Sequence, residues 1–127
     1  MFKGLGLDLC EIARMEKLLE NSRFLDRYFT ADEIAYIRSR GKSAAQTMAG
    51  LFAARESLGK ALGCGIDFDL KEAEVGHSPA GAPFFRLSGK LKERLGTDRI
   101  LLSITHDGGI AAAVCLVEAG SEGDDAE

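Results

Sequence analysis

Residues 44–62 set the first constraint on this chain: a proline-free run rich in alanine and leucine, framed by a helix-start signal and a helix-stop signal. Ser43, followed three residues on by Gln46, has capping-box spacing, in which a hydroxyl accepts from an N-terminal amide and the third side chain reaches back. Gly63 stands where a left-handed terminating residue is needed, and glycine takes positive φ without a Cβ clash. A helix of this length in a chain of 127 residues leaves room for one core. With 46% hydrophobic and 28% charged residues the composition is globular, neither disordered nor collagen-like.

The segments around that helix read differently. Residues 4–9 alternate as a strand, with Leu5, Leu7 and Leu9 on one face and Gly4, Gly6 and Asp8 on the other, so Asp8 lies on a face stripped of side chains. Residues 11–20 shift to helical spacing with Ile12, Met15, Leu18 and Leu19 as the apolar stripe. Phe24, Leu25, Tyr28 and Phe29 predict a short helical turn, and Thr30 with Glu33 a capping box opening a helix from 31 to about 40. In the second half, 70–76 and 83–87 read as strands and 89–95 as a short helix. Residues 99–106 and 110–117 form a hairpin across Asp107-Gly108-Gly109.

Strand, helices, then an antiparallel meander make an α+β fold, one long central helix packed on an antiparallel sheet, with a domain at 1–118 and a tail at 119–127. Residues 110–117 are apolar on both faces, so both sides of that strand want cover, from a partner subunit or from the short helices.

Charge excludes some functions. The net charge of −4 is uneven: Glu118, Glu122, Asp124, Asp125 and Glu127 meet no base, leaving 16 bases against 15 acids in residues 1–117. A near-neutral body without a recognised motif speaks against nucleic acid. No apolar run nears the roughly 18 residues needed to cross a bilayer, and no signal-peptide core is complete, so a cytoplasmic protein without membrane contact is expected. Cys10, Cys64 and Cys115 are odd in number and widely spaced, which predicts small buried hydrophobes, not a disulfide framework or zinc site.

Candidate chemistry begins on the long helix. Met48 and Phe52 lead, in steps of four, to Glu56 and Lys60, so two charges continue an apolar stripe. They are either a helix-stabilising surface pair or part of a site. Asp8 likewise either caps the helix after its strand or joins Glu56 as a second oxygen ligand from a rigid element. A hard cation such as Mg²⁺ takes one or two carboxylates and fills its shell with water and phosphate oxygens. Gly4 and Gly6 would leave room for that phosphate, and Lys60 would neutralise it. Gly63-Cys64-Gly65 either admits a ligand to the helix end or simply stops the helix.

His106 shares a strand face with Ile100, Leu102 and Ile104 and is a structural or a ligand-binding residue, while Ser103 and Thr105 face the other way. His77, in a loop with Pro79, Gly81 and Pro83, has no visible partner. Dinucleotide and P-loop signatures and GxSxG are absent, so neither those nucleotide folds nor hydrolase chemistry is supported. Between residues 14 and 42, seven bases against five acids interleave with Phe24, Tyr28 and Phe29, which suits contact with an acidic protein.

Gly4-Leu5-Gly6-Leu7-Asp8-Leu9-Cys10-Glu11-Ile12-Ala13-Arg14, then Phe52-Ala53-Ala54-Arg55-Glu56-Ser57-Leu58-Gly59-Lys60-Ala61-Leu62-Gly63, then Ser103-Ile104-Thr105-His106 occur in one order over about residues 4–118. Together they resemble the small bacterial holo-acyl-carrier-protein synthases, a type of 4′-phosphopantetheinyl transferase. The resemblance implies that family's fold, a homotrimer with sites at subunit interfaces, and a role in fatty acid biosynthesis. It implies transfer of 4′-phosphopantetheine from coenzyme A to a serine hydroxyl of apo-acyl carrier protein, releasing adenosine 3′,5′-bisphosphate. By position, Asp8 and Glu56 match the Mg²⁺-binding acids and Lys60 the lysine near the phosphates, these three forming the catalytic set with Glu56 as base. Lys60, Gly63, Ser103 and His106 match coenzyme A-binding positions, and Arg14, Arg23, Phe24, Arg27 and Phe52 a carrier-docking face. Departures are Leu51 and Ala82, where a base is frequent, Arg55, which keeps the charge of a usual lysine, and Ser57 in place of alanine. Two other readings use the same acids: a Mg²⁺-dependent transferase or hydrolase acting on a nucleotide diphosphate without a carrier, and an oligomeric nucleotide sensor that transfers nothing.

Overall fold

The small side chains of residues 44–62 let other elements approach on nearly every side. In the computed structural model, which describes residues 1–63 and 69–120, Ala45, Ala49, Ala53, Ala54, Ala61, Gly50 and Gly59 of this helix are all buried. Cys64, Gly65 and most of the acidic tail lie outside the described residues.

In chain order the elements are β1 (Phe2–Glu11), α1 (Ile12–Leu18), α2 (Ser22–Tyr28), α3 (Ala31–Ser39), α4 (Ala44–Leu62), β2 (Ala73–His77), β3 (Pro83–Leu87), α5 (Gly89–Leu95), β4 (Arg99–Asp107) and β5 (Ile110–Glu118). The fold is α+β, as expected, with α4 packed along the antiparallel sheet β1-β5-β4. The expected meander is instead two sheets, since among the described residues β2 and β3 pair only with each other. The doubly apolar strand β5 is central: Ala113 pairs with Asp8 on one side and Ile104 on the other.

One face of β5, with Ala111, Ala113, Cys115 and Val117, is buried in the core. Within one chain the short helices do not cover the other face. Leu5, Leu7 and Leu9 of β1 are 66, 59 and 64% exposed there, joined by Leu101 and Val114.

Local signals succeed where side chains are free to act. Thr30 Oγ1 accepts from the Glu33 amide (3.2 Å) while Glu33 Oε1 accepts from the Thr30 amide (3.0 Å), completing the capping box. Gly63 ends α4 at φ 76°. The Ser43–Gln46 box does not form, because a 3₁₀ turn over Gly41–Ser43 runs directly into α4 and Gln46 turns to His106 instead. Leu70–Glu72 is likewise a 3₁₀ turn and not strand: Asp69 Oδ1 accepts from the Lys71 amide (3.0 Å), a local bond that competes with a ladder.

Arg55 clasps the helical layer from inside. Its Nη1 donates to Glu33 Oε2 (2.6 Å) and the Ala73 carbonyl (3.0 Å), and its Nη2 to the Tyr28 carbonyl closing α2 (2.7 Å).

Candidate active site

Glycine brings strand and helix together. A Cβ on Gly6 would collide with the Ser57 carbonyl and one on Gly4 with the Ala61 carbonyl, so β1 lies directly on the α4 backbone. The space expected to receive a phosphate at these glycines is therefore filled by the helix itself. Asp8, two residues further along the same face of β1, meets the polar end of the α4 stripe. Its Oδ1 accepts from Lys60 Nζ at 3.0 Å, and the same ammonium donates to the Leu7 carbonyl at 3.1 Å.

Glu56 lies one turn before Lys60 and is half-buried. Burial first, then the charge of Asp8, push its carboxyl above the usual carboxylate range, against the opposing pull of Lys60 and Arg14. The acid from the amino-terminal strand and the acid midway along the central helix thus feel one another, with Lys60 and Arg14 as the cations beside them. This donor set of hard carboxylate oxygens on two rigid elements fits a small dication that keeps most of its shell for water and phosphate oxygens. Cys10, next on that face of β1, is buried and its thiol is pushed up by burial; burial takes Cys115 to about 12. Both behave as the expected core hydrophobes.

A cleft of about 200 Å³ opens on the β4 side of α4, lined among others by Tyr36, Arg40, Gln46, Leu51, His77 and His106. Gln46 Nε2 and His106 Nε2 are 2.9 Å apart, a side-chain hydrogen bond between α4 and β4. His77 stacks on Tyr36, centroids 4.5 Å apart, and the Arg40 guanidinium lies 5.5 Å from the same ring. Burial, then Arg40, push the His77 imidazole down. Leu51, where a base is frequent in the family resembled, is buried in the wall and leaves Arg40 as the one permanent charge among the described lining residues.

Of the anticipated coenzyme A-binding residues, His106 reaches this cleft, Lys60 sits with Asp8, Gly63 closes α4, and Ser103 stands on the outer face of β4 opposite Val114. Tyr36, Arg40, Gln46 and His77 were not anticipated, because a cleft built from α3, α4, β2 and β4 leaves no trace in local spacing.

The anticipated docking residues do come together. Phe52 packs against Phe24 (6.1 Å) and Tyr28 (5.6 Å), Arg14 covers Phe52 at 5.3 Å and Arg27 covers Tyr28 at 5.5 Å. Arg23 is exposed beside Phe24. Because Arg14 also acts on Glu56, this aromatic and cationic surface borders the carboxylates.

Residues 4–115 match the family model of the 4′-phosphopantetheinyl transferase superfamily. A holo-acyl-carrier-protein synthase of Treponema denticola is 42% identical, covering 93% of this chain and 99% of the relative. One from Clostridium botulinum (strain Alaska E43 / Type E3) is 41% identical over 93% and 98%. Among solved structures, the Neisseria meningitidis enzyme superposes with a TM-score of 0.82 at 28% identity, covering 93% of this chain and 99% of its own. The Bacillus anthracis enzyme in complex with CoA (3′,5′-ADP) gives 0.81 at 30% over 94% and 99%. The Helicobacter pylori enzyme in complex with coenzyme A gives 0.79 at 31% over 90% and 99%. With identity at this level over nearly its whole length, the chain belongs to the holo-acyl-carrier-protein synthase family of 4′-phosphopantetheinyl transferases.

Proposed function

We infer that this chain transfers the 4′-phosphopantetheine group of coenzyme A to a serine hydroxyl of apo-acyl carrier protein, releasing adenosine 3′,5′-bisphosphate, as a step of fatty acid biosynthesis. Its similarity to holo-acyl-carrier-protein synthases, including structures in complex with coenzyme A, supports the reaction. The observation that carries the mechanism is the Asp8–Lys60 pair between β1 and α4, with Glu56 one turn before Lys60 on the same helix.

The serine oxygen attacks the phosphorus that bears pantetheine, a new P–O bond forms, and the bond from that phosphorus to the bridging oxygen breaks, the oxygen leaving as part of adenosine 3′,5′-bisphosphate. Such transfers are catalysed mainly by positioning and charge neutralisation. Glu56, whose carboxyl burial and the charge of Asp8 hold above the usual carboxylate range, serves as the base that takes the serine proton. Lys60 neutralises charge on the departing phosphate. Asp8 and Glu56 would hold Mg²⁺, which supplies charge neutralisation at the diphosphate. The cleft with His106 receives the nucleotide end, with Gly63 at the close of α4 and Ser103 completing the coenzyme A-binding set. The face of Arg14, Arg23, Phe24, Arg27 and Phe52 receives the acidic carrier protein.

The same reading makes the chain a homotrimer whose catalytic domain is residues 1–118, acting in the cytoplasm. Two observations favour a ring. Leu5, Leu7, Leu9 and Leu101 form an apolar face that wants a partner. The carboxylates sit at the β1 edge of the sheet and the cleft at the β4 edge, so a head-to-tail contact joins one copy's acids to the next copy's cleft. Ser103, on the outer face, enters the site through that contact.

The test is incubation with coenzyme A, Mg²⁺ and apo-carrier protein, followed by mass spectrometry of the carrier. One added phosphopantetheine group per carrier is expected, lost in folded Asp8→Ala and Glu56→Ala. Turnover of the nucleotide without carrier would point to a hydrolase, and binding without bisphosphate release to a sensor; either outcome overturns the reading.

A further inference from the structure

Asp8 has two claims on the same oxygen. Its half-buried Oδ1 takes the Lys60 ammonium at 3.0 Å, and that ammonium is anchored a second time by the Leu7 carbonyl at 3.1 Å. Lys60 is four residues from Glu56 on the same helix face, so one positive charge serves both acids. Arg14 adds a second cation from α1, whose charge acts on Glu56. A dication bound through Asp8 must displace the ammonium from Oδ1 or approach it at close range, where like charges repel. An anionic diphosphate nearby offers Lys60 another partner of the kind an ammonium binds well.

We propose that Lys60 and a divalent cation compete for the Asp8 carboxylate, and that the diphosphate of coenzyme A relieves the competition by drawing Lys60 away. The proposal rests on the reading of Asp8 and Glu56 as the cation-binding acids. Its consequence is thermodynamic: cation and coenzyme A each strengthen the binding of the other, by the same factor. The free enzyme therefore holds its cation weakly and takes it up together with the substrate. Lys60 is largely exposed, which keeps the expected effect moderate.

The experiment is Mn²⁺ titration of the full chain followed by electron paramagnetic resonance of the free ion, without carrier protein, with and without coenzyme A. The association of Mn²⁺ with coenzyme A in solution is measured separately and subtracted. Lys60→Met and Lys60→Gln, checked for unchanged melting, are expected to bind Mn²⁺ about three- to tenfold more tightly than the wild type without coenzyme A. Coenzyme A should then improve Mn²⁺ binding by a larger factor in the wild type than in either variant. Lys60→Arg keeps the charge and should restore wild-type affinity. Equal or weaker Mn²⁺ binding by the two neutral variants overturns the competition while leaving the metal site intact, provided Asp8→Ala has lost the ion. Undiminished binding by Asp8→Ala overturns both the competition and the metal reading beneath it.

Discussion

Two ion pairs leave α4 five residues apart, and they have opposite fates. Arg55 and Glu33 meet at 2.6 Å with side chains 2 and 1% exposed. The pair is enclosed and multiply bonded: Glu33 also accepts from the Val75 and Thr30 amides, and Arg55 reaches two carbonyls and lies 5.0 Å from the Phe29 ring. Lys60 and Asp8 meet at 3.0 Å with the lysine side chain 58% exposed, and Lys60 uses two of its three donors. Enclosure, not the type of pair, separates architecture from chemistry. A closed pair is out of a ligand's reach, whereas an open pair can exchange partners.

The strongest way to break that contrast is Arg55→Met, which strands the buried Glu33 carboxylate. A loss of about 3–5 kcal/mol in urea unfolding is expected. A loss below about 1 kcal/mol would mean that the enclosed pair is as dispensable as a surface one.

At the open pair, Lys60→Met should leave unfolding within about 0.5 kcal/mol of the wild type. Its kcat/KM for transfer should fall about 100-fold, as when one charge-stabilising donor is removed. Beside it, Arg14→Glu should raise KM for the carrier about tenfold while KM for coenzyme A stays unchanged, since a charge at a docking rim acts on its own partner. Equal loss for both substrates would move Arg14 from the docking face into the carboxylate centre.

The smallest effect belongs to His77. Its folded-state pKa is lowered from 6.5 by burial and by Arg40, so just below that value the unfolded chain binds more protons than the native one. Stability on its account is present above 6.5 and is lost as pH falls toward the lowered value. His77→Gln should reduce this slope in urea titrations run between about pH 5 and 7.

The sequence made α4 legible because a long proline-free run closed by glycine has few alternatives, and the Thr30–Glu33 box because both bonding partners lie three residues apart. Asp8 and Glu56 stood out for a different reason: each was a charge out of place, one on a strand face without side chains and one in an apolar stripe. Local reading failed where a residue's partner is distant in sequence. Gln46 looked like a helix cap but bonds His106, sixty residues on. His77 looked partnerless but stacks on Tyr36. Gly4 and Gly6 marked a face without side chains, yet periodicity does not say what lies against it, and a helix backbone took the place expected for a phosphate.

That last contact decides how the acidic centre tolerates change. Where β1 crosses α4, main chain rests on main chain with no side chain as a shim. The spacing between the strand that carries Asp8 and the helix that carries Glu56 is thus set by atoms that no substitution elsewhere can alter directly. Core residues remote from this crossing are free to drift in size over evolution, at some expense of folding, without detuning the reaction; replacing either glycine would pry the two acids apart at once.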